Sequence, residues 1–199
     1  MSRIIYIHGF LSSSHSTKAQ QTKAWLAEHR PDLVFLCPDL SSYPDKAIAA
    51  LRDVLLRGDT SSNACASQNL LIGSSLGGFW ASYFVEQGLA KKAVLVNPAV
   101  SPHLRFADLV GQDLQHYYSD ERVCLGQADI DSLAKCEAGA ISKHDALWLM
   151  AQTDDEVLDY RLAVDRYQGC RQTIEPGGNH SFEKYDRWLP EIIDFLEGD

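Results

Sequence analysis

The sequence contains no apolar run of the roughly 20 residues that a membrane-spanning helix needs. Its first ten residues also lack the basic and then apolar plan of a signal peptide, so we expect a cytoplasmic protein. Basic side chains are in the minority, with 18 against 27 acidic ones and a net charge of −9. Because this charge repels phosphate backbones and anionic lipids, neither nucleic acid nor a membrane is an expected partner.

Cysteine pairs of the C-x-x-C type are absent, and so are internal repeats and low-complexity linkers. An odd, scattered set of cysteines argues against a disulfide scaffold and against a zinc site, so we expect reduced, mostly buried thiols. With 199 residues and no linker, the chain is expected to form one domain over 1–199. The five cysteines are Cys37, Cys65, Cys124, Cys136 and Cys170.

Short apolar runs alternate with amphipathic stretches along the chain, which is typical of a parallel sheet with helical crossovers. The pattern predicts an α/β fold, a three-layer α/β/α sandwich around a mostly parallel sheet of about six strands. Residues 101–145 have no strong period and are a candidate cap or lid. The predicted strands are 3–7, 33–37, 69–72, 93–96, 146–150 and 171–174, and the predicted helices begin near Ser16, Pro44, Leu76, Asp159 and Tyr185.

The segment 73–77 reads Gly-Ser-Ser-Leu-Gly and matches the G-x-S-x-G pattern of a nucleophile elbow. A buried strand precedes it and an apolar helix follows it, which is the setting that this motif requires. Gly73 and Gly77 remove side chains where strand and helix pack closely, and Gly78 allows a further approach. We therefore interpret Ser75 as a catalytic nucleophile, with Ser74 as the weaker alternative.

A serine hydroxyl needs a base, and the chain order of this architecture is serine, then acid, then histidine. His180 fits because it lies in a loop after the last strand, whereas His144 precedes the fifth strand at the wrong end of the sheet. The acid is expected after the fifth strand, and we favour Asp155. The alternatives are Asp154, interpreted as a left-handed turn residue, and Glu156, interpreted as pointing toward solvent.

Two backbone N–H groups are predicted to form an oxyanion hole. One belongs to Leu76, and the other belongs to the turn after the first strand, with Phe10 preferred over Leu11. His8 is expected to hold this turn in shape. The segment 97–100 after the fourth strand is interpreted either as part of the pocket lining or as a simple stop turn.

These motifs resemble the α/β-hydrolase superfamily and, more narrowly, the YqiA-like small esterase family, over nearly the whole chain. The most specific segments are 6–10, 73–78, 96–100, 155–161 and 177–180. The resemblance implies a compact α/β-hydrolase fold, esterase activity on short acyl esters and possible action on thioesters, no cofactor and no metal. It also implies that Ser75, Asp155 and His180 form the triad. The chain departs from the family at Leu11, where Asn is usual, and at Asp154, where Gly is usual.

The sequence thus predicts a serine esterase that acts on a small-molecule acyl ester through an acyl-enzyme. The alternatives are an acyl-CoA or other thioesterase, a peptidase or carbon–carbon hydrolase, a cofactor-free haloperoxidase or perhydrolase, and a catalytically silent binding scaffold. A silent scaffold usually loses a member of the triad, and none is missing here. Neither the oligomeric state nor the natural substrate is determined by these patterns.

Overall fold

Six parallel strands form the main sheet in a computed structural model that describes residues 2–57, 68–137 and 139–198. All six predicted strands are confirmed, and a short antiparallel hairpin of two strands, which the sequence did not predict, is added. In chain order the strands are β1 (Arg3–Ile7), β2 (Val34–Leu36), β3 (Asn69–Ser74), β4 (Lys92–Val96), β5 (Leu114–Gln115), β6 (Arg122–Val123), β7 (Leu147–Gln152) and β8 (Arg171–Glu175).

The order of the main sheet is β2-β1-β3-β4-β7-β8, with β5 and β6 apart from it as the hairpin. Every neighbouring pair in the main sheet is parallel, so the carboxyl ends of all six strands meet along one edge. Strands β3, β4 and β7 are buried at every position. Such complete burial follows from helices on both faces.

The helices confirm the predicted segments and add two that the sequence pattern did not reveal. These two, α4 and α5, are short and lie within residues 101–145, where no period was detected. In chain order the α-helices of the described residues are α1 (Thr17–His29), α2 (Pro44–Leu56), α3 (Leu76–Glu86), α4 (Pro102–Phe106), α5 (Gln127–Lys135), α6 (Tyr160–Arg166) and α7 (Leu189–Glu197). The helix predicted to begin near Tyr185 starts as a 3₁₀ turn over Tyr185–Trp188 and continues as α7, which has Pro190 in its first turn.

Two hydrophobic clusters lie on opposite faces of the sheet, which confirms the three-layer sandwich. One cluster combines the sheet with α2, α3, α5 and α6, and the other combines it with α1 and α7. The segment 101–145 contributes Phe106, Val123 and Leu133 to the first cluster, so its apolar side chains share the core of the sheet. No helix of the described residues is long and apolar enough to cross a membrane.

Two local expectations are corrected. A serine before a helix is expected to cap it, but the hydroxyl of Ser16, the residue before α1, makes no capping hydrogen bond. Of the four described cysteines only Cys136 is buried, while Cys124 is exposed, so the thiols are not mostly buried. Cys65 lies outside the described residues, and so does Gly58, a glycine soon after α2 of the kind that often ends a helix.

Candidate active site

Ser75 lies in a sharp turn between β3 and α3, at the carboxyl edge of the sheet. Its φ of 56° and ψ of −122° are strained for a residue with a side chain, at a cost of about 1–3 kcal/mol. Its backbone N–H donates to the carbonyl of Val96, and its own carbonyl accepts from Gly78 and Ala99. The turn is thus fixed by the neighbouring strand and by the helix that it begins.

Three glycines allow this turn because a side chain at any of them would collide with backbone or with proline. A Cβ at Gly73 would lie 2.2 Å from the carbonyl oxygen of Gly77. One at Gly77 would lie 1.9 Å from the oxygen of Ile7, and one at Gly78 would lie 2.6 Å from Cβ of Pro98. Contacts this short do not occur between real atoms, so the elbow requires glycine at these positions, as the motif predicts.

His180 bridges Ser75 and Asp155 with its two ring nitrogens. Nε2 lies 3.1 Å from Oγ of Ser75, and Nδ1 lies 2.9 Å from Oδ2 of Asp155. An ionised carboxylate only accepts hydrogen bonds, so the contact with Asp155 fixes the proton on Nδ1. The lone pair of Nε2 then faces the serine hydroxyl, as a general base requires.

The carboxylate of Asp155 is buried, with 2% of its side chain exposed. Burial acts to raise its pKa, but hydrogen bonds from His180 and from the N–H groups of Leu158 and Val157 outweigh this, and the pKa is lowered. Both backbone donors lie 2.8 Å from Oδ1. Asp155 is therefore ionised at neutral pH and held in one orientation.

The two neighbouring acidic residues differ from their predicted roles. Asp154 lies in the turn after β7, as predicted, but has no positive φ; the glycines of the facing loop, Gly177 and Gly178, are left-handed instead, with φ of 81° and 77°. The N–H of Asp154 donates to Gly177, and its exposed carboxylate does not reach the histidine ring. Glu156 is exposed, yet it does not simply point into solvent, because Oε2 accepts the backbone N–H of His180 at 3.0 Å.

Asn97 attaches the histidine loop, residues 176–183, to the end of β4. Its Nδ2 donates at 3.0 Å both to the carbonyl of Asn179 and to that of His180. Its Oδ1 accepts the backbone N–H of Gln152, and it occupies a left-handed conformation with a φ of 41°. Asn97 is buried and does not line the main cavity, so the stop-turn interpretation of 97–100 is the better one at this residue.

Gln152, the last residue of β7, also forms hydrogen bonds with the backbone of the histidine loop. Its Oε1 accepts the N–H groups of Asn179 and Glu183, at 3.2 and 2.8 Å. A Cβ at Gly178 would lie 2.0 Å from this oxygen, which explains the glycine there. Sequence reasoning missed both Asn97 and Gln152; the available signal was a polar amide at the carboxyl end of a buried strand.

The predicted oxyanion donors lie on the two segments nearest the serine. Leu76 is the first residue of α3, where a backbone N–H has no partner within the helix. The turn after β1 lies against Ser75, since a Cβ at Gly9 would be 3.6 Å from the serine Oγ. Among the described residues, the N–H of Phe10 has no acceptor. Leu11 adopts a φ of 54°, a conformation that suits the asparagine usual in the family better than leucine.

Two histidines fix this turn. The ring of His8 accepts the N–H of Leu40 on Nε2 at 3.0 Å and contacts the carbonyl of Gly9 through Nδ1, so the ring is neutral. Burial lowers the pKa of His8, in agreement with that state. His116 from the hairpin region is buried and lies 2.9 Å from the carbonyl of Ser12.

A cavity of about 410 Å³ opens beside Ser75 and His180. Tyr117 and Tyr118, from the segment 101–145, belong to its lining, so the candidate cap contributes directly to the site. Whether that segment moves as a lid stays a prediction. Among the described residues, no group of three or more His, Cys, Asp or Glu side chains could hold a metal ion. The remaining lining comes from β1 and the turn after it, the start of α1, and residues 181–185.

Residues 3–197 match the Uncharacterised protein family (UPF0227). The chain belongs to this family. Because the match spans almost the whole chain, it confirms the resemblance to YqiA-like proteins that the motifs indicated.

Solved structures of similar shape extend the comparison. Alpha/beta hydrolase domain-containing protein 10 from mouse has 18% identity and a TM-score of 0.72, over 98% of this chain and 89% of that chain. Est1E from Butyrivibrio proteoclasticus has 16% identity and a TM-score of 0.69, over 98% and 86%. The methylesterase MES16 from Arabidopsis has 11% identity and a TM-score of 0.64, over 98% and 100%. At these identities the likeness establishes the α/β-hydrolase fold.

Proposed function

We propose that this UPF0227 protein is a serine hydrolase that cleaves small acyl esters, with Ser75 as nucleophile, His180 as base and Asp155 as the acid that orients the base. The observation that carries the proposal is the chain of contacts from Asp155 through the His180 ring to the Ser75 hydroxyl, at 2.9 and 3.1 Å. This is the arrangement that activates a serine, whatever the fold that supplies it.

In the proposed reaction, Nε2 of His180 takes the hydroxyl proton as Oγ of Ser75 bonds to the ester carbonyl carbon. The tetrahedral intermediate then expels the alcohol, which receives the proton from Nε2, and leaves an acyl-serine. Water, deprotonated by the same nitrogen, attacks the acyl-serine; the acid is released as Oγ of Ser75 takes the proton back from Nε2. The negative charge of Asp155 stabilises the imidazolium that exists between these proton transfers.

The N–H groups of Leu76 and Phe10 are proposed to hold the oxyanion. A single donor of this kind is worth about 2.7–4 kcal/mol to the transition state. The position of Leu76 at the start of α3 adds the positive end of the helix dipole, which favours developing negative charge.

Small esters are the proposed substrates because the cavity of about 410 Å³ suits a compact molecule. A carboxylic ester fits the chemistry of the site without a metal or redox partner. The description of one structural neighbour as a methylesterase agrees with this choice, at 11% identity.

A fluorophosphonate probe tests the nucleophile. We expect it to label the wild type and Ser74→Ala but not Ser75→Ala, because only Ser75 contacts the base. Hydrolysis of p-nitrophenyl butyrate should be lost with the label, and a parallel assay with butyryl-CoA measures action on thioesters. Labelling that persists in Ser75→Ala would contradict the proposal.

The acid is tested by a matched pair of substitutions. Asp155→Asn should lower kcat by a factor on the order of 10⁴, as loss of the correct histidine tautomer does in other triads. Asp154→Asn should change kcat little, because the side chain of Asp154 makes no contact with the ring. Equal effects of the two substitutions would show that the acid is wrongly assigned.

A further inference from the structure

The cavity beside Ser75 contains a lysine that the proposed reaction does not use. Lys18 lies in the first turn of α1 and belongs to the cavity lining together with Ser16 and Thr17. Its Nζ donates to the carbonyl of Ser181 at 2.7 Å. Because Ser181 directly follows His180 in the chain, the ammonium group lies beside the histidine loop.

The ammonium group of Lys18 has hydrogen-bond donors that no described acceptor uses. An ammonium carries three N–H groups, and among the described residues the Ser181 carbonyl is the one hydrogen-bond acceptor that it has. Burial lowers the pKa of Lys18 to about 8, while the charge of Asp155 partly opposes this. Lys18 is therefore still protonated at neutral pH. A partly desolvated cation with unused donors gains more from an anionic ligand than a solvated one does.

The charge around Lys18 favours an anion despite the acidity of the whole chain. The described lining of the cavity contains the lysines Lys18 and Lys184 and one carboxylate, that of Glu183. Glu183 is exposed, and its Oε1 already accepts from Nδ2 of Asn179 at 3.1 Å. The first turn of α1 has no acidic residue, so the positive end of that helix dipole is not neutralised there.

We propose that Lys18 binds an anionic group of the substrate, such as a carboxylate, so that the preferred substrates are small esters with a negative charge. The proposal rests on the hydrolase function proposed above and specifies its substrate class. The anion can belong to the acyl part or to the leaving alcohol. Because Lys18 contacts the ligand rather than the reacting atoms, its loss should raise KM more than it lowers kcat.

Two matched pairs of esters test this proposal and distinguish the two positions of the charge. Monomethyl glutarate and methyl pentanoate differ by a carboxylate on the acyl part, and meta-carboxyphenyl and meta-carbamoylphenyl butyrate differ by one on the leaving group. In one of these pairs we expect the wild type to favour the anion by about tenfold or more in kcat/KM, which corresponds to one charge-assisted hydrogen bond.

Substitution of Lys18 should remove that preference. Lys18→Met keeps the aliphatic part of the side chain. It should abolish the preference by raising KM for the anionic ester, while kcat/KM for the neutral ester should change by about threefold or less. Lys18→Arg should restore part of it. Lys23→Met is the control, because Lys23 is exposed on the same helix and does not line the cavity. If Lys18→Met weakens both members of a pair equally, Lys18 only holds the loop through Ser181, and the proposal is wrong. An absence of preference in the wild type would overturn it as well.

A binding measurement separates this proposal from the function on which it rests. Ser75→Ala lacks the proposed nucleophile and should not hydrolyse the esters, so calorimetric titration of this variant measures binding alone. The ligands are monomethyl glutarate and meta-carboxyphenyl butyrate, each compared with its neutral partner. Binding of one anionic ester that disappears in Ser75→Ala/Lys18→Met supports the anion site, even if the probe fails to label Ser75. Labelled Ser75 without any such binding would preserve the hydrolase and refute the role of Lys18.

Discussion

The nucleophile elbow, residues 73–78, and the histidine loop, residues 176–183, hold the two halves of one site by different means. The elbow is fixed by close packing: its glycines lie so near β1, the start of α3 and Pro98 that a side chain at any of them would collide. The loop is held by side chains at or beyond the carboxyl ends of β4 and β7, since Asn97, Gln152 and Glu156 all bond its backbone. One half is specified locally, and the other half by contacts across the fold.

This difference predicts how substitutions in each half of the site affect stability and activity. Packing against backbone cannot relax, so a change in the elbow should destabilise the whole molecule. The hydrogen bonds of the loop are individually modest, so their loss should displace His180 before the protein unfolds. The predictions below test this contrast, and they begin with the largest expected effect.

Gly77→Ala should lower the free energy of unfolding by about 3 kcal/mol or more and abolish hydrolysis, because the new methyl group meets backbone that cannot move aside. The added Cβ would lie 1.9 Å from the carbonyl oxygen of Ile7. Urea unfolding followed by circular dichroism measures the change. Gly139→Ala is the control, since a Cβ there meets nothing within 4 Å. Equal stability of the two variants would show that the elbow tolerates a side chain.

Asn97→Gly should lower turnover of p-nitrophenyl butyrate by about 100-fold, because an ångström of displacement at a catalytic group has an effect of this size. Glycine accepts the left-handed conformation of this position, so the substitution removes the side-chain bonds without adding strain. Stability should fall by about 1–3 kcal/mol. Asn97→Ala should cost more stability than Asn97→Gly at similar turnover. Unchanged turnover in Asn97→Gly would mean that other contacts suffice to hold the loop.

Mild acid should weaken the turn after β1, which contains His8, before it weakens the histidine loop. Burial lowers the pKa of His8, and the hydrogen bond with Gly9 and the charge of Asp39 only partly offset this. At pH values below the ordinary histidine pKa of about 6.5, the unfolded chain binds a proton that His8 in the folded protein does not bind. The free energy of unfolding therefore decreases as the pH is lowered. The pKa of Asp155 is lowered in the folded state, so its contribution persists until about pH 4 and is lost below it.

Unfolding experiments from about pH 8 to about pH 3 measure these two steps. His8→Gln should flatten the loss of stability that begins near pH 6.5, and Asp155→Asn should flatten the loss below about pH 4. The two substitutions are controls for each other. A wild type whose stability stays constant between about pH 6.5 and pH 5 would contradict the buried, neutral state of His8.

Glu156 should show the smallest effect, because its bond to the N–H of His180 is exposed. Glu156→Ala should reduce turnover by about two- to fivefold, in keeping with the modest value of a solvated hydrogen bond. Glu156→Gln keeps an acceptor oxygen and should retain most of the activity. Asp154→Ala, two residues earlier in the chain and with a side chain that does not contact the amide of His180, is the matched control. If both alanine variants behave alike, the bond of Glu156 does not position His180.

Much of the architecture was readable from the chain because each element has a local signal. Buried parallel strands are continuous apolar runs, and Pro44 marks the start of α2. The helices within residues 101–145 were missed because α4 has only five residues and α5 only nine, too few for a clear period. The hairpin was missed because each of its strands has two residues.

The candidate site was predictable only in part for a related reason. Ser75, His180 and Asp155 lie in motifs that follow strands, so their type and position indicated a shared edge of the sheet. The roles of Asn97 and Gln152 depend on which strands are neighbours, and Lys18 reaches the site only because α1 packs beside the histidine loop. None of these contacts has a sequence period or a fixed spacing.

The sequence by itself determined the α/β architecture, the glycine-bounded elbow and the chain order of serine, acid and histidine, because these depend on hydrophobic periodicity and on local backbone sterics. Only the tertiary structure decided that Glu156 holds a loop amide, that Asp154 occupies its turn without a left-handed conformation, and that a lysine faces the cavity. Hydrogen bonds between residues far apart in the chain are set by the packing of strands and helices, and no local pattern encodes them.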